Sequence, residues 1–480
     1  MLSQRLEETC QANADQIAVF DPTDTPTTYR SFFFTLVSFA EQLQDHGIEP
    51  GDHVTVEIDD AISGTLMRLA LLRLGATVVP PPRPNAAHYR IDCRIIALAT
   101  TAFGAVPVIG FTDAWIRSPS RMVPVAGGGR MVKATSGTTG FPKLRLADEA
   151  AILARVELGL QERQIVSGPV LIGYNPAAGT GFGNILRCLM SDHAHAYIRT
   201  SVDQTLDMIE HLQIKTALLP AAKLPWLVDG ARNRHRSPSL DVIQAGGGAV
   251  SPALAREAER LFGAEVFNAY GSNETGSISR HRPASEDGIS GVVGHIYQHL
   301  QYRFQDEAGQ ITDDKIGGEL WLRVPEAFRE QSFPDQTPIH DPDGWISTGD
   351  LGHILPNGML KLDGRVSDLI NLGGNKRSPL LVEAVVRDLP GLRDVAAFRI
   401  ETSDGIDEIG IAICADAGFD VNALPSILAK ALGQAFPLHL VSCDHLPLTP
   451  AGKIDRRALT QAHSPIFSAG ENGLRNNLSP

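Results

Sequence analysis

Strand-like and helix-like hydrophobic periods take turns along the first half of the chain, and this alternation restricts the fold more than any other property. Apolar residues recur at helical spacing over 5–16 and 29–47, while 53–58 alternates like a strand. A helical run over 62–74 leads into Thr77-Val78-Val79 before a proline brake. Runs at 106–109 and 170–173 read as buried strands, and a helical segment over 205–212 precedes a strand over 216–219. Such alternation predicts an α/β fold: a large N-terminal body of stacked, largely parallel sheets.

Past about residue 300 the texture changes. Turn signals crowd together at Glu307-Ala-Gly309, Asp341-Pro-Asp-Gly344, Pro356-Asn-Gly358 and Asp363-Gly364. The runs between them, such as 318–324 and 359–362, are short and β-like, so a small β-barrel-like subdomain is expected over about 300–363. One further unit follows: a helix over 379–389, strands over 395–399 and 409–414, and a helix over 422–435. The expected division is therefore 1–363 and 364–480, the second part a smaller α+β domain near the common size for one domain. No repeat or low-complexity segment interrupts the pattern.

Composition narrows the partners. Lys plus Arg number 42 against 55 Asp plus Glu, a formal charge of −13 that repels phosphate backbones and anionic lipid. Nucleic acid and membrane insertion are disfavoured, whereas a small anion can still bind where local cations and backbone N–H groups outweigh a screened global field. The five cysteines, Cys10, Cys93, Cys188, Cys414 and Cys443, form no Cys-x-x-Cys pair, which argues against a disulfide framework or a zinc site. The N-terminus lacks a basic start followed by an apolar run, and a cytoplasmic location is expected.

The strongest chemical signal is Thr135-Ser136-Gly137-Thr138-Thr139-Gly140-Phe-Pro-Lys143. Small hydroxyl residues and glycines let backbone N–H groups and Oγ atoms converge on phosphate oxygens, with Lys143 adding a charge. The glycine and lysine spacing does not match the Walker pattern, so an ordinary P-loop NTPase is disfavoured.

This segment resembles the signature of the adenylate-forming (AMP-binding) superfamily, which includes acyl-CoA synthetases, peptide-synthetase adenylation domains and luciferases. The family's other motifs have counterparts in the same order. Asn268-Ala269-Tyr270-Gly271-Ser-Asn273-Glu274 resembles the aromatic-Gly-x-Thr-Glu motif, and Ser347-Thr-Gly-Asp350 the Thr-Gly-Asp motif. Gly364-Arg365-Val-Ser367-Asp368 resembles the Gly-Arg-x-x-Asp hinge, and Pro450-Ala-Gly-Lys453 the C-terminal Gly-Lys motif. The likeness runs from about residue 5 to about residue 460.

The resemblance implies ATP, Mg²⁺ and a thiol acceptor, either CoA or phosphopantetheine. It implies that Thr135 to Gly140 and Lys143 cradle the phosphates, that Gly247, Asn268, Ala269, Tyr270 and Gly271 hold the adenosine, and that Glu274 holds Mg²⁺. Each residue type suits its role: an aromatic face stacks on a purine, and a carboxylate is a hard ligand for Mg²⁺. Asp350 would accept the ribose hydroxyls with Arg365 beside it, and Lys453 would meet the reacting carboxylate and α-phosphate. The C-terminal domain would be a mobile lid turning about Arg365, Ser367 and Asp368, with Gly373 and Gly374 lining the thiol tunnel.

Three positions depart from the family pattern. Asn273 stands where Thr is usual, and its amide can donate to the α-phosphate instead. Ser367 occupies a hinge position usually held by Asp or Lys. Leu144-Arg145 follows the loop where Gly and an apolar residue are common.

By rough alignment Asn175 stands where α-amino-acid-activating domains carry an Asp, which disfavours an ammonium-bearing substrate. Ile243, Ala245, Gly248, Ser277 and Ile278, with Gly247 and Ala269 bordering both sites, would line a roomy slot for an aryl or medium acyl carboxylic acid. The expected activity is acyl-AMP formation with release of pyrophosphate, then thioester formation with CoA. The alternative is loading of a separate acyl or peptidyl carrier protein, and a third is a non-catalytic adenine-nucleotide-binding pseudoenzyme.

Overall fold

The computed structural model describes residues 1–81, 91–96, 107–135, 143–162, 167–234, 237–285, 291–332, 338–372, 375–387, 389–402, 407–416, 418–432, 437–447 and 454–464. Residue contacts divide the chain into two compact units. The first holds residues 1–286, 297–301 and 323–346; the second holds 287–296, 302–322 and 347–480.

The first unit is built on two sheets, as the alternating periods predict. One has eight strands in the order Gly276–His281, Glu265–Ser272, Val242–Gly246, Thr216–Pro220, Val170–Ile172, His195–Tyr197, Ile17–Phe20 and Pro26–Thr28. Its inner pairs are parallel, and its two outer pairs are antiparallel. Helices alternate with the parallel strands because a parallel pair needs a crossover. Val202–His211, Leu224–Arg232 and Pro252–Phe262 pack one apolar cluster that includes Leu206, Leu227, Ala258 and Val266.

The chain also reverses direction across this sheet. From Val170–Ile172 it passes to His195–Tyr197 on one side and then to Thr216–Pro220 on the other. Val170–Ile172 is therefore a topological switch point, where crossover helices diverge to leave a crevice beyond the carboxyl ends of the strands.

The second sheet has seven strands in the order Gln331–Ser332, Lys143–Asp148, Arg130–Thr135, Thr77–Val79, His53–Glu57, Cys93–Ile96 and Val108–Gly110. A large apolar cluster joins residues of this sheet to the helices Leu2–Ala12, Tyr29–Asp45, Ala61–Arg73 and Gly179–Met190. The first helix lies earlier than the expected 5–16, because Leu2, Leu6 and Cys10 form one buried stripe at helical spacing.

The second unit contains a six-stranded sheet in the order Val292–Gly294, Leu360–Arg365, Trp345–Ile354, Gly318–Arg323, Gln301–Gln305 and Ile311–Thr312. The barrel-like subdomain expected here is an open sheet among the described residues: its order ends in strands of three and two residues that do not pair with each other. After a 3₁₀ turn at Val366–Asp368 comes the α+β part. There Leu392–Ile400 pairs antiparallel with Glu408–Ala415, which pairs parallel with Leu438–Ser442, and the helices Pro379–Val386, Leu424–Leu432 and Arg456–His463 accompany them. The sulfurs of Cys414 and Cys443, both free thiols, are 3.3 Å apart, a proximity that their sequence spacing does not reveal. Among the described residues no helix is long and apolar enough to cross a membrane.

Candidate active site

In the first unit, several of the expected nucleotide and acid residues lie at the carboxyl ends of strands near the switch point. Asn175 follows Val170–Ile172, Gly247 and Gly248 follow Val242–Gly246, and Asn268 to Ser272 end the neighbouring strand. Register pairs Ala245 with Asn268 and Gly246 with Ala269, so these levels coincide.

Asn268 is 6 % exposed and its orientation is fixed. Its Nδ2 donates to the carbonyl oxygens of Gly248 at 2.9 Å and Ala245 at 3.3 Å, which leaves Oδ1 as the acceptor end of the amide. Gly247 has φ +77°, and nothing lies within 4 Å of where its Cβ would sit, so the backbone there opens onto free space. Beside it, a Cβ on Gly246 would meet the Tyr174 hydroxyl at 2.9 Å. Burial pushes that hydroxyl's pKa up, with its hydrogen bond to the Gly246 backbone pulling the other way. Ile243, Ala245 and Ile278 are fully buried, the first two among the apolar residues of the core, whereas Ser277 is half-buried and Asn175 exposed. Asn175 closes its own turn, accepting from the Ala177 N–H at 2.8 Å.

Asn273 and Glu274 occupy the turn between the antiparallel strands Glu265–Ser272 and Gly276–His281. The register slips after Tyr270, and a Cβ on Gly271 would come within 2.3 Å of the Gly276 carbonyl, so this bulge needs a glycine. From inside, the Ser272 Oγ accepts from the N–H groups of Glu274 at 3.2 Å and Thr275 at 3.1 Å. From outside, Arg155 donates from Nη1 to the Asn273 carbonyl at 2.6 Å and from Nη2 to the Glu274 carbonyl at 2.7 Å. The Asn273 Oδ1 lies 3.3 Å from the Cβ position of Gly179, the first residue of its helix.

Arg155 also donates from Nε to the Phe328 carbonyl at 2.9 Å and pairs with the Glu330 carboxylate at 3.1 Å. Glu330, whose side chain is 0 % exposed, is held on the same oxygen by Lys133 Nζ at 2.7 Å. Burial pushes the Lys133 and Arg155 pKa values down, and Glu330 opposes this in both. Arg145 stands opposite Lys133 in the adjacent strand, and burial likewise lowers its pKa against the pull of Glu274 and Glu330. The unusual pair after the loop thus has a local explanation: Leu144 fills an apolar cluster with Val79 and Val132, and Arg145 adds a buried cation.

The sequence does not single out Lys133, Arg155 or Glu330, and it marks Arg145 only as a departure from the family pattern. A lysine inside the apolar strand Arg130–Thr135 and an arginine among the buried residues of the helix Glu149–Gln161 are signals in retrospect; Glu330 carries none.

Asp350 and Arg365 face each other across the second unit's sheet, with Arg365 Nε donating to Asp350 Oδ1 at 2.7 Å. Asp350 is nearly buried and Arg365 half exposed, so the arginine orients the carboxylate. Ser367 and Asp368 lie in the 3₁₀ turn after Arg365, with Ser367 Oγ donating to Asp368 at 2.9 Å. Thr135 and Lys143 pair at the ends of two antiparallel strands. Ser136 to Gly140, Gly373, Gly374 and Lys453 lie outside the described residues.

The residues present suit a purine nucleotide with a hard cation: a fixed amide beside open backbone space, and a carboxylate on a turn braced from both sides.

The chain is similar to known proteins along most of its length. A family model described as AMP-binding enzyme matches residues 132–330. The chain is 28 % identical to a salicylyl-CoA synthase / salicylate adenylyltransferase of a Streptomyces species, covering 95 % of this chain and 93 % of that protein. It is 27 % identical to a medium/long-chain-fatty-acid–[acyl-carrier-protein] ligase of Mycobacterium tuberculosis, over 90 % of each chain. The crystal structure of ATP-bound MatB from Rhodopseudomonas palustris superposes with a TM-score of 0.81 at 16 % identity, covering 97 % of this chain and 100 % of that one, which establishes a shared fold.

Proposed function

The chain belongs to the adenylate-forming superfamily of AMP-binding ligases, and from that membership we propose that it activates an aryl or medium acyl carboxylic acid as acyl-AMP and passes the acyl group to CoA. The observation that carries this reading is the hairpin Glu265–Ser272 and Gly276–His281, in which the Asn268 amide is fixed by two backbone carbonyls and Glu274 sits on a turn braced through its backbone.

In the first half-reaction a carboxylate oxygen of the acid bonds to the α-phosphorus of ATP, and the bond to the bridging oxygen breaks to release pyrophosphate. In the second, a thiolate sulfur attacks the acyl carbon and AMP leaves. The protein's contribution is positioning and charge stabilisation. The Asn268 Oδ1 would accept from the adenine amino group, Tyr270 would offer a ring face, and Asp350, held by Arg365, would accept from the ribose hydroxyls. The Asn273 amide would donate to the α-phosphate. Glu274 would hold Mg²⁺, which neutralises phosphate charge when bound. Lys453 would stabilise charge at the reacting carboxylate, and the C-terminal residues would turn about Arg365 to Asp368 between the two halves.

An aryl acid is favoured over an amino acid because position 175 offers no carboxylate for an ammonium group, and a relative named for salicylate is similar along nearly the whole chain. Loading of an acyl carrier protein is the second reading, favoured by the relative named for that acceptor. Hydroxylamine trapping of acyl-AMP across a panel of carboxylic acids, repeated with CoA and with a phosphopantetheinylated carrier, tests both. Aryl or medium acyl acids should give hydroxamate, and Lys453→Ala should lower its formation by about 10²–10³-fold. Turnover with amino acids alone would overturn the substrate assignment.

A further inference from the structure

We infer that Lys133, Glu330 and Arg155 form a buried clamp that positions the Asn273–Glu274 turn for the metal and the α-phosphate. The inference rests on the reading of Glu274 as the Mg²⁺ ligand.

Buried charges need a reason, because removing them from water is expensive unless they are paired and hydrogen-bonded. Here two cations converge on one carboxylate oxygen of a wholly buried glutamate, Lys133 from a strand at 2.7 Å and Arg155 from a helix at 3.1 Å. The other oxygen of Glu330 is buried with no hydrogen-bond partner among the described residues, so this carboxylate is not placed to satisfy itself fully. Arg155 then spends its remaining donors on backbone: Asn273 and Glu274 carbonyls at 2.6 and 2.7 Å and the Phe328 carbonyl at 2.9 Å.

A guanidinium is a rigid planar fork, so bonds from its two Nη atoms to successive carbonyls hold both peptide units that flank the Glu274 Cα. Glu330 and Lys133 fix the fork in turn. The Glu274 side chain projects from the Cα between the two peptide units so held. A six-coordinate Mg²⁺ tolerates little displacement of its ligands, and a functional constellation loses effectiveness when its support lets it drift by more than about 0.5 Å. Arg155, Glu330 and Lys133 are thus positioning residues that need not touch nucleotide. The clamp also joins four separate segments of the first unit, which explains why charge is retained where an apolar contact would pack.

Two variants test this. Glu330→Gln keeps the shape and an oxygen acceptor while removing the charge; Arg155→Lys keeps the charge while removing the fork. Hydrogen exchange on the ligand-free protein reads the turn without any metal or activity. Exchange should rise about tenfold or more in the peptide spanning 265–281 and stay unchanged in the strands 53–57 and 170–172. With saturating ATP, the Mg²⁺ concentration for half-maximal hydroxamate formation should rise about tenfold in both variants.

Exchange in 265–281 unchanged, together with a Mg²⁺ midpoint within twofold of wild type, overturns the clamp. Exchange raised uniformly across the first unit overturns it as well, since that is the mark of ordinary structural destabilisation. Should Arg155→Lys fail to fold, the near-isosteric Glu330→Gln decides the matter. Absence of hydroxamate from the wild-type protein would instead count against the proposed activity, while the exchange result would still report on the clamp.

Discussion

Asn268→Ala separates base recognition from simple support of the strand. The wild-type amide donates to Gly248 O at 2.9 Å and to Ala245 O at 3.3 Å. Each such bond is worth about 0.5–1.5 kcal/mol net, the longer one nearer the lower end, so truncation should destabilise the protein by about 1–3 kcal/mol. The same two bonds aim Oδ1, and its contact with the adenine amino group should add about 1–3 kcal/mol to the binding of ATP. Inosine triphosphate presents an oxo group at that position, placing acceptor against acceptor, so the wild-type protein should disfavour it. In Asn268→Ala the nucleotide ATP loses this contact, whereas inosine triphosphate has none to lose. The ratio of kcat/KM for ATP to that for inosine triphosphate should therefore fall by about 5- to 150-fold, almost entirely through ATP. Hydroxamate trapping at several concentrations of each nucleotide measures the ratio, and urea denaturation measures the stability term. A variant that is destabilised as expected but keeps the wild-type nucleotide ratio would refute the reasoning, because Asn268 would then only tie its strand to the following loop.

Two further outcomes follow from other sites. Burial pushes the pKa of His195 down from its ordinary 6.5 to about 4, so the folded protein holds it neutral while the unfolded chain takes up a proton. Its contribution to stability is complete above pH 6.5 and is lost as pH falls toward 4, on the order of 3 kcal/mol across that window. Urea midpoints at pH 7.5, 6, 5 and 4.5 should show a shallower acid decline in His195→Gln, and an identical slope in the two proteins would remove His195 as its source. Asp350→Ala should raise the KM for ATP about tenfold and abolish the penalty that 2′-deoxy- or 3′-deoxy-ATP suffers with the wild-type protein. An undiminished penalty would mean that the ribose is held elsewhere.

The elements that the sequence displays most clearly are those whose signal is local. The helix Tyr29–Asp45 begins after Thr28, whose hydroxyl accepts from the Ser31 N–H, and matches the expected 29–47 closely. The helix expected at 205–212 begins earlier, at Val202, because Ser201 caps it by accepting from the Gln204 N–H. Gly364 and Arg365, where the sequence suggests the start of a new domain, close the strand Leu360–Arg365, with Arg365 opposite Asp350. A Gly-Arg step in a strand carries no local mark that distinguishes it from a turn.

Periodicity and turn chemistry determined the α/β class and most element positions, and the resemblance of short motifs to a known family pointed to the candidate residues of the hairpin. These depend on neighbours a few positions away, so the chain states them directly. Only the tertiary structure decided which strands lie side by side, that Val170–Ile172 is the switch point, and that the second unit's sheet stays open. It alone also joined Lys133 to Glu330 across 197 residues and placed Arg155 beneath the Asn273–Glu274 turn. An apolar face can pack against many others, and a buried charge names no partner, so such pairings acquire meaning only when the packed elements bring the residues within reach.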